Sequence, residues 1–317
     1  MSDLDQTAQE RVARRPVEYV GLVLRGALMG IAEVIPGVSG GTIAFISGIY
    51  TELLESIARF GPESVGELLR GGIRGFWQGF WRSHNLGFLL SLALGMGLAL
   101  VSVARGVKVA LEAAPPLVWA FFFGLIIASV VFLARSLQPA GAQKTHNAKL
   151  LSLFGGLGLL FGLGLSSLAP ATVDAQWWML FIGGAVAVSA WILPGISGSL
   201  MLLLMGLYPA VLAAVAEVDV VMLGSLLLGC GLGLLLFARV LSWLLSNYRA
   251  PVLALLTGVM AGSLAKLWPW QSQEGALLLP QQYALSVGPN LFWGACGMLL
   301  LGMLAVALLA RFNPDPE

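Results

Sequence analysis

Charge is scarce in this chain. Only 10% of the residues are Asp, Glu, Lys or Arg, while 58% are hydrophobic, at a mean hydropathy of +0.88. A soluble domain carries about 25% charge, so the composition indicates an integral membrane protein. The apolar residues come in runs of roughly 20, the length of a crossing helix, and lack the short alternating pattern of a β-barrel. A net charge of +1 gives no basic footprint for nucleic acid. The two cysteines, Cys230 and Cys296, lie inside apolar runs and read as buried thiols, not as a disulfide or metal pair. The two histidines, His84 and His146, stand in separate polar segments, so no metal site is expected. There is no Ser/His/Asp grouping, no His-x-x-x-His and no Walker lysine after a glycine loop. The chain therefore reads as a non-enzyme without a cofactor. No short apolar region with a cleavage site follows the polar stretch Met1 to Pro16, so a cleaved signal peptide is not expected.

What the sequence does contain is one unusual stretch, twice. Glu33-Val-Ile-Pro-Gly-Val-Ser-Gly-Gly-Thr42 interrupts an apolar run, and Gly48-Ile49-Tyr50 follows. Pro36 removes an amide donor, and Gly37, Gly40 and Gly41 loosen the backbone, so a helix entering here breaks. Such a break at membrane depth is tolerated only inside protein or beside a water-filled cavity. Ser39 then caps a new helix through Gly40, Gly41 and Thr42. Its first amides, at the positive end of the helix dipole, suit an anion. Trp191-Ile-Leu-Pro-Gly-Ile-Ser-Gly-Ser199 with Gly206-Leu207-Tyr208 repeats the pattern. Pro194 stands 158 residues after Pro36 (194 less 36), and Gly195, Ser197 and Gly198 fall at the same offset from Gly37, Ser39 and Gly40. A weaker echo links Gly124–Ser129 to Gly258–Ser263. An internal duplication follows, with repeat one about 19–135 and repeat two about 177–268.

The expected elements are a broken pair at 19–35 and 42–58, and spans near 86–104, 117–134 and 150–168. A second broken pair follows at 177–193 and 198–215, then spans at 219–240, 251–267 and 290–311. Residues 59–85 mix arginines with Phe76, Trp77, Phe80 and Trp81 and read as an interfacial amphipathic segment. Trp177, Trp178, Trp268, Trp270 and Trp293 read as interface anchors. If the N-terminus is cytoplasmic and each broken pair returns to its own side, 13 of the 17 basic residues fall inside. Only Arg105, Lys108 and Lys266 fall outside, with Arg25 in the membrane. That satisfies the positive-inside rule. Three single spans between the broken pairs invert the second relative to the first, so the two Pro-Gly-x-Ser-Gly tips meet near the midplane. The expected fold is an all-α polytopic membrane protein of inverted-topology repeats, each with a re-entrant broken-helix hairpin, in the manner of secondary transporters. Residues 1–18 and 313–317 are expected as cytoplasmic tails around one transport domain, 19–312.

The candidate site is the pair of tips: Ser39, Gly40, Gly41, Thr42, Ser197, Gly198 and Ser199, with Arg25 as the nearby cation. Intramembrane charge costs roughly 2.5–3.5 kcal/mol on insertion scales and points to function. Glu33 either takes and releases a proton or holds Arg25 until an anion displaces it; the plain alternative is a static Arg25–Glu33 pair. Glu52 and Glu55 read as solvated helix-end charges. Arg135 and Lys266, after the second repeated element of each half, either snorkel to lipid phosphate or gather an anionic head group at each mouth.

These residues carry a resemblance. Ala32 to Thr42 with Gly48-Ile49-Tyr50, Leu193 to Ser199 with Gly206-Leu207-Tyr208, and Gly262 to Pro269 closely resemble the PopT family of polyprenyl-phosphate translocases, formerly a domain of unknown function. The resemblance covers Arg15 to Arg311. It implies a multi-pass protein of the bacterial plasma membrane that returns undecaprenyl phosphate, the lipid carrier of cell-wall precursors, from the outer to the inner leaflet. The implied partners are that lipid or a related polyprenyl phosphate and the surrounding membrane lipids, with room for a homodimer. A transporter of a small soluble anion is the alternative, because it needs the same tips but no opening toward lipid.

Overall fold

The computed structural model describes residues 14–34, 39–61, 84–137, 144–272 and 275–311. The N-terminal tail before Arg14, Pro36 and Gly37, the amphipathic segment from 62 to 83 and the last six residues lie outside them. Among the described residues the protein is built of helices, with one isolated antiparallel bridge between Gln271 and Leu277. Five are long and apolar enough to cross a bilayer: Leu86–Val103, Pro115–Arg135, Ala148–Ser167, Val220–Leu267 and Phe292–Arg311. This is a multi-pass, all-α membrane protein.

Helix α1 (Pro16–Glu33) stops just before the first motif. The chain resumes as α2 (Gly40–Ile46) and α3 (Tyr50–Ala58). Helices α4 (Leu86–Ala113), α5 (Pro115–Ser136) and α6 (Lys144–Ser167) follow. Then α7 (Trp177–Ile192) stops at the second motif, and α8 (Gly198–Leu204) and α9 (Tyr208–Glu217) resume. The bounds of α8 and the start of α9 lie 158 residues after those of α2 and α3, the same offset as the motifs.

The expected single return helices, 42–58 and 198–215, are each two helices. Gly48 (φ 68°) and Gly206 (φ 72°) take the left-handed conformation that glycine reaches most readily. Around each, a paired backbone closure ends the helix: Gly48 and Ile49 donate to Phe45 and Ala44, and Gly206 and Leu207 donate to Leu203 and Leu202. This is the Schellman stop. Helices α8 and α9 consequently meet at 105°.

Helix α10 (Val220–Ser263) runs across the expected spans 219–240 and 251–267 and is interrupted at Tyr248 (φ −134°, ψ 42°), just before Pro251. The chain folds back there. Asn85, at the start of α4, bonds Glu52 and Ser56, so α3 and the start of α4 share one end of the molecule. Arg239, before the interruption, bonds the carbonyls of Ala58 and Phe60 at that same end. Trp268, beyond a short 3-10 turn (Leu264–Leu267), packs instead on Phe123 in the first half of α5, which begins where α4 finishes. After α11 (Pro280–Ser286), helix α12 (Phe292–Arg311) completes the fold.

Small residues let the helices approach backbone to backbone, as membrane packing favours. Gly26 and Gly30 face the backbones of Leu92 and Met96, joining α1 to α4, while Gly184 and Gly229 do the same for α7 and α10. The remaining long helices cross over between halves. Helix α12 packs on α5 through Gly302 and Gly124, and α6 packs on the second part of α10 through Gly158 and Gly262. Helix α2 sits inside this frame with every residue buried. Of the tryptophans read as anchors, Trp177, Trp178 and Trp293 are exposed as expected. Trp270 is 6% exposed and donates to the carbonyl of Asn290; with Trp268, which bonds Leu278, it holds the loop before α12 together.

Candidate functional site: two helix breaks in contact

The second break forms as its residue order requires. Leu193 precedes a proline and is extended (φ −68°, ψ 125°), which ends α7. Gly195 turns the chain at φ 86°, with its Cα side against Met260. Ser197 is extended and opens α8. At the first break Ser39 is likewise extended (φ −116°, ψ 138°), and its hydroxyl accepts from the Gly41 amide at 3.0 Å, capping α2.

The two breaks touch. The Ser39 hydroxyl donates to the Trp191 carbonyl at 2.6 Å, the Gly195 amide donates to the Thr42 hydroxyl at 3.0 Å, and Gly41 lies against the backbone of Ile192. Ser39, Thr42 and Ser197 are fully buried. The hydroxyls of Ser197 and Ser199 bond each other at 2.9 Å. The hydroxyls expected to face a ligand thus knit the hairpins together in this state. An exposed hydroxyl would compete with water, whereas a buried one needs a partner, and the opposite break supplies it.

Glu33 stands at the centre of this contact. Its carboxylate accepts from the Gly40 amide at 2.6 Å and is also bonded by the Trp191 side chain. It occupies the amino end of α2, where the dipole and free amides favour negative charge. Trp191 is the residue of the second repeat that corresponds to Glu33. Its carbonyl accepts from Ser39 and its side chain bonds the Glu33 carboxylate, so Trp191 is part of the site although its own position carries no charge. The sequence showed this substitution, but that the two positions meet is visible only once the breaks are in contact. At α8, by contrast, nothing among the described residues accepts from the amides of Gly198, Ser199 or Leu200.

The other candidates separate. Arg25 is half-buried on α1 and makes no ion pair with Glu33; among the described residues its side chain has no hydrogen-bond or ion-pair partner. The expectation that Glu33 holds Arg25 is therefore corrected: eight residues apart on one helix, the two stand about 12 Å apart along its axis, and the Gly40 amide engages the carboxylate. Arg135 is exposed at the end of α5 and Lys266 sits in the 3-10 turn after α10; neither bonds a tip residue. Pro194 and Gly195 form the break as described, and Pro36 and Gly37 fall outside the described residues. Glu52 is not a freely solvated charge. Arg14 contacts both its oxygens at 2.6 and 2.5 Å, and Asn85 bonds it at 2.7 Å. Sequence reading missed this cluster because its members are far apart in the chain. It also missed Arg239, which reaches the carbonyls ending α3.

A family model described as VCA0040-like, undecaprenyl phosphate translocase-like, matches residues 29–281. A polyprenyl-phosphate transporter of Vibrio cholerae serotype O1 is 42% identical over 260 residues, covering 82% of this chain and 81% of that protein. A polyprenyl-phosphate transporter of Staphylococcus aureus is 32% identical over 260 residues, covering 78% of this chain and 85% of that protein. No solved structure matches. With both breaks inside the matched region, the chain belongs to the VCA0040-like, undecaprenyl phosphate translocase-like family.

Proposed function

We propose that the protein carries undecaprenyl phosphate, or a related polyprenyl phosphate, across the bacterial plasma membrane from the outer to the inner leaflet, recycling a cell-envelope lipid carrier. The observation that carries this reading is the meeting of two helix breaks with a carboxylate on the Gly40 amide. The reading is supported by the names of both relatives. A phosphate head group is prohibitively costly in hydrocarbon unless its charge is compensated. Amides and hydroxyls at the two tips supply that compensation, and Glu33 fills the place until the head group arrives. Arg25, without a partner among the described residues, is the cation that meets the phosphate.

Each hairpin is read as re-entrant. The start of α3 lies beside the chain that leads into α1, through Arg14 and Glu52. In the second half the amide of Ala171, before α7, donates to the carbonyl of Leu204 at the end of α8. The reading as inverted repeats draws on helix direction: α1 runs parallel to α4, away from the end where Arg239 lies, and α7 runs parallel to the first part of α10, toward it. Both termini are cytoplasmic in this arrangement.

The test is reconstitution of the full chain in vesicles with undecaprenyl phosphate in one leaflet. The lipid appears in the other leaflet at a rate that scales with protein content, and soluble phosphate does not cross. Passage of soluble phosphate without lipid movement would favour the soluble-anion alternative.

A further inference from the structure

Below the tips, between α2–α3 and the fold-back of α10, lies a cavity of about 290 Å³ that the site above does not use. Phe45, Leu54, Leu245 and Leu253 give it an apolar side. Thr51, Ser242 and Ser246 bring hydroxyls, and Glu55 and Arg249 bring opposite charges. Among the described residues those two charges form no ion pair, the recorded pair being Arg14 with Glu52. Arg249 stands exposed at the rim of this cavity, near its hydroxyls and, among the described residues, without a carboxylate partner, which leaves it available to a phosphate monoester. The facing Glu55 disfavours prolonged residence of an anion, which suits a place of release.

The lining is not a by-product of the hairpin architecture. In the second repeat the positions of Thr51 and Glu55 are Pro209 and Ala213, so the polar groups that α3 brings have no counterpart on α9. Phe45 lies on α2, so one seven-residue helix, about 10 Å long, separates the cavity from the Gly40 amide. The volume sits at the small end for ligand pockets and accommodates a phosphate with the first part of a hydrocarbon tail.

We infer that this cavity is a second phosphate-monoester site, the release station for the lipid head group at the α3 end of the path, with Arg249 as its binding cation. The inference rests on the proposed lipid-phosphate transport.

The test uses the full chain in nanodiscs with Cys230→Ser and Cys296→Ala, and with Ser246→Cys as the reporter. Thiol labelling at position 246 is timed with undecaprenyl phosphate, undecaprenol or inorganic phosphate present. At a lipid concentration about ten times its Kd, undecaprenyl phosphate slows labelling about tenfold, and the other two do not. Arg249→Gln abolishes the protection, and Arg249→Lys retains part of it. Labelling indifferent to undecaprenyl phosphate, by a protein that still moves the lipid in vesicles, overturns the second site alone. Loss of both protection and lipid movement overturns the transport reading with it. Equal protection by inorganic phosphate overturns the assignment to a lipid head group, as does protection that survives in Arg249→Gln.

Discussion

A carboxylate on the first amide of a buried helix does there what a bound anion would do. Glu33 accepts from that amide; under the proposed function a lipid phosphate would compete with it for the same donor, and the side chain would set how easily the site opens and empties. Replacing Glu33 by Gln keeps the shape and removes the competing charge. The Glu33→Gln protein is expected to bind undecaprenyl phosphate several-fold to about tenfold more tightly and to move it more slowly between leaflets. Titration of the lipid into purified protein and the vesicle assay read the two effects; weaker binding by this variant would contradict the competition. Arg25→Ala acts in the opposite direction, lowering affinity about tenfold by removing a charge-assisted contact. It leaves thermal stability near that of the parent, because no bond to a described residue is lost. The pairing of Arg25 with Glu33 looked natural along the sequence, where only separation on one helix is visible. The competing donor, Gly40, is visible only after the chain has turned.

At the level of elements, the two hairpins are held by serine and threonine hydroxyls that reach across to the other repeat's backbone. Thr42→Val deletes the acceptor of the Gly195 amide and strands a buried N–H. A loss of about 1–3 kcal/mol follows, seen as a lower melting temperature in detergent. A melting temperature equal to the parent's would show that the contact does not hold the breaks together. Gly206→Ala places a side chain at φ 72° and against the backbone of Ala171, so it destabilises by about 1–2 kcal/mol or more. The breaks themselves were legible, because Pro-Gly-x-Ser-Gly in an apolar run leaves a helix little choice. The second stop in each hairpin was not. Gly48-Ile49-Tyr50 and Gly206-Leu207-Tyr208 were visible as a repeat, yet a glycine inside an apolar run reads equally well as close packing. Only the paired donors to Ala44 and Phe45 mark it as a helix end. The fold-back at Tyr248 was placed correctly between two spans, although helical backbone continues up to and after it.

Across the whole molecule, the two halves exchange long helices, α12 onto α5 and α6 onto α10, while α1 packs on α4 and α7 on α10 within their own halves. The repeat limits drawn from the sequence, ending near 135 and 268, omit α6 and α12, because packing against the opposite half leaves no motif to match. The proposed inverted arrangement implies alternating access, one half moving against the other around the tips. It also sets the topology: single cysteines at Glu55 and Glu217, in a chain without its native thiols, are expected to react from opposite faces of the membrane. Labelling of both from one face would contradict the inverted arrangement. The central claim is that the contact between the breaks is a seat for one negative head group, and its most direct measurement is a structure of the chain with undecaprenyl phosphate bound. The account predicts the phosphorus at the amino ends of α2 and α8, with the Glu33 carboxylate withdrawn from the Gly40 amide. A phosphate bound elsewhere, with Glu33 still on that amide, would contradict it.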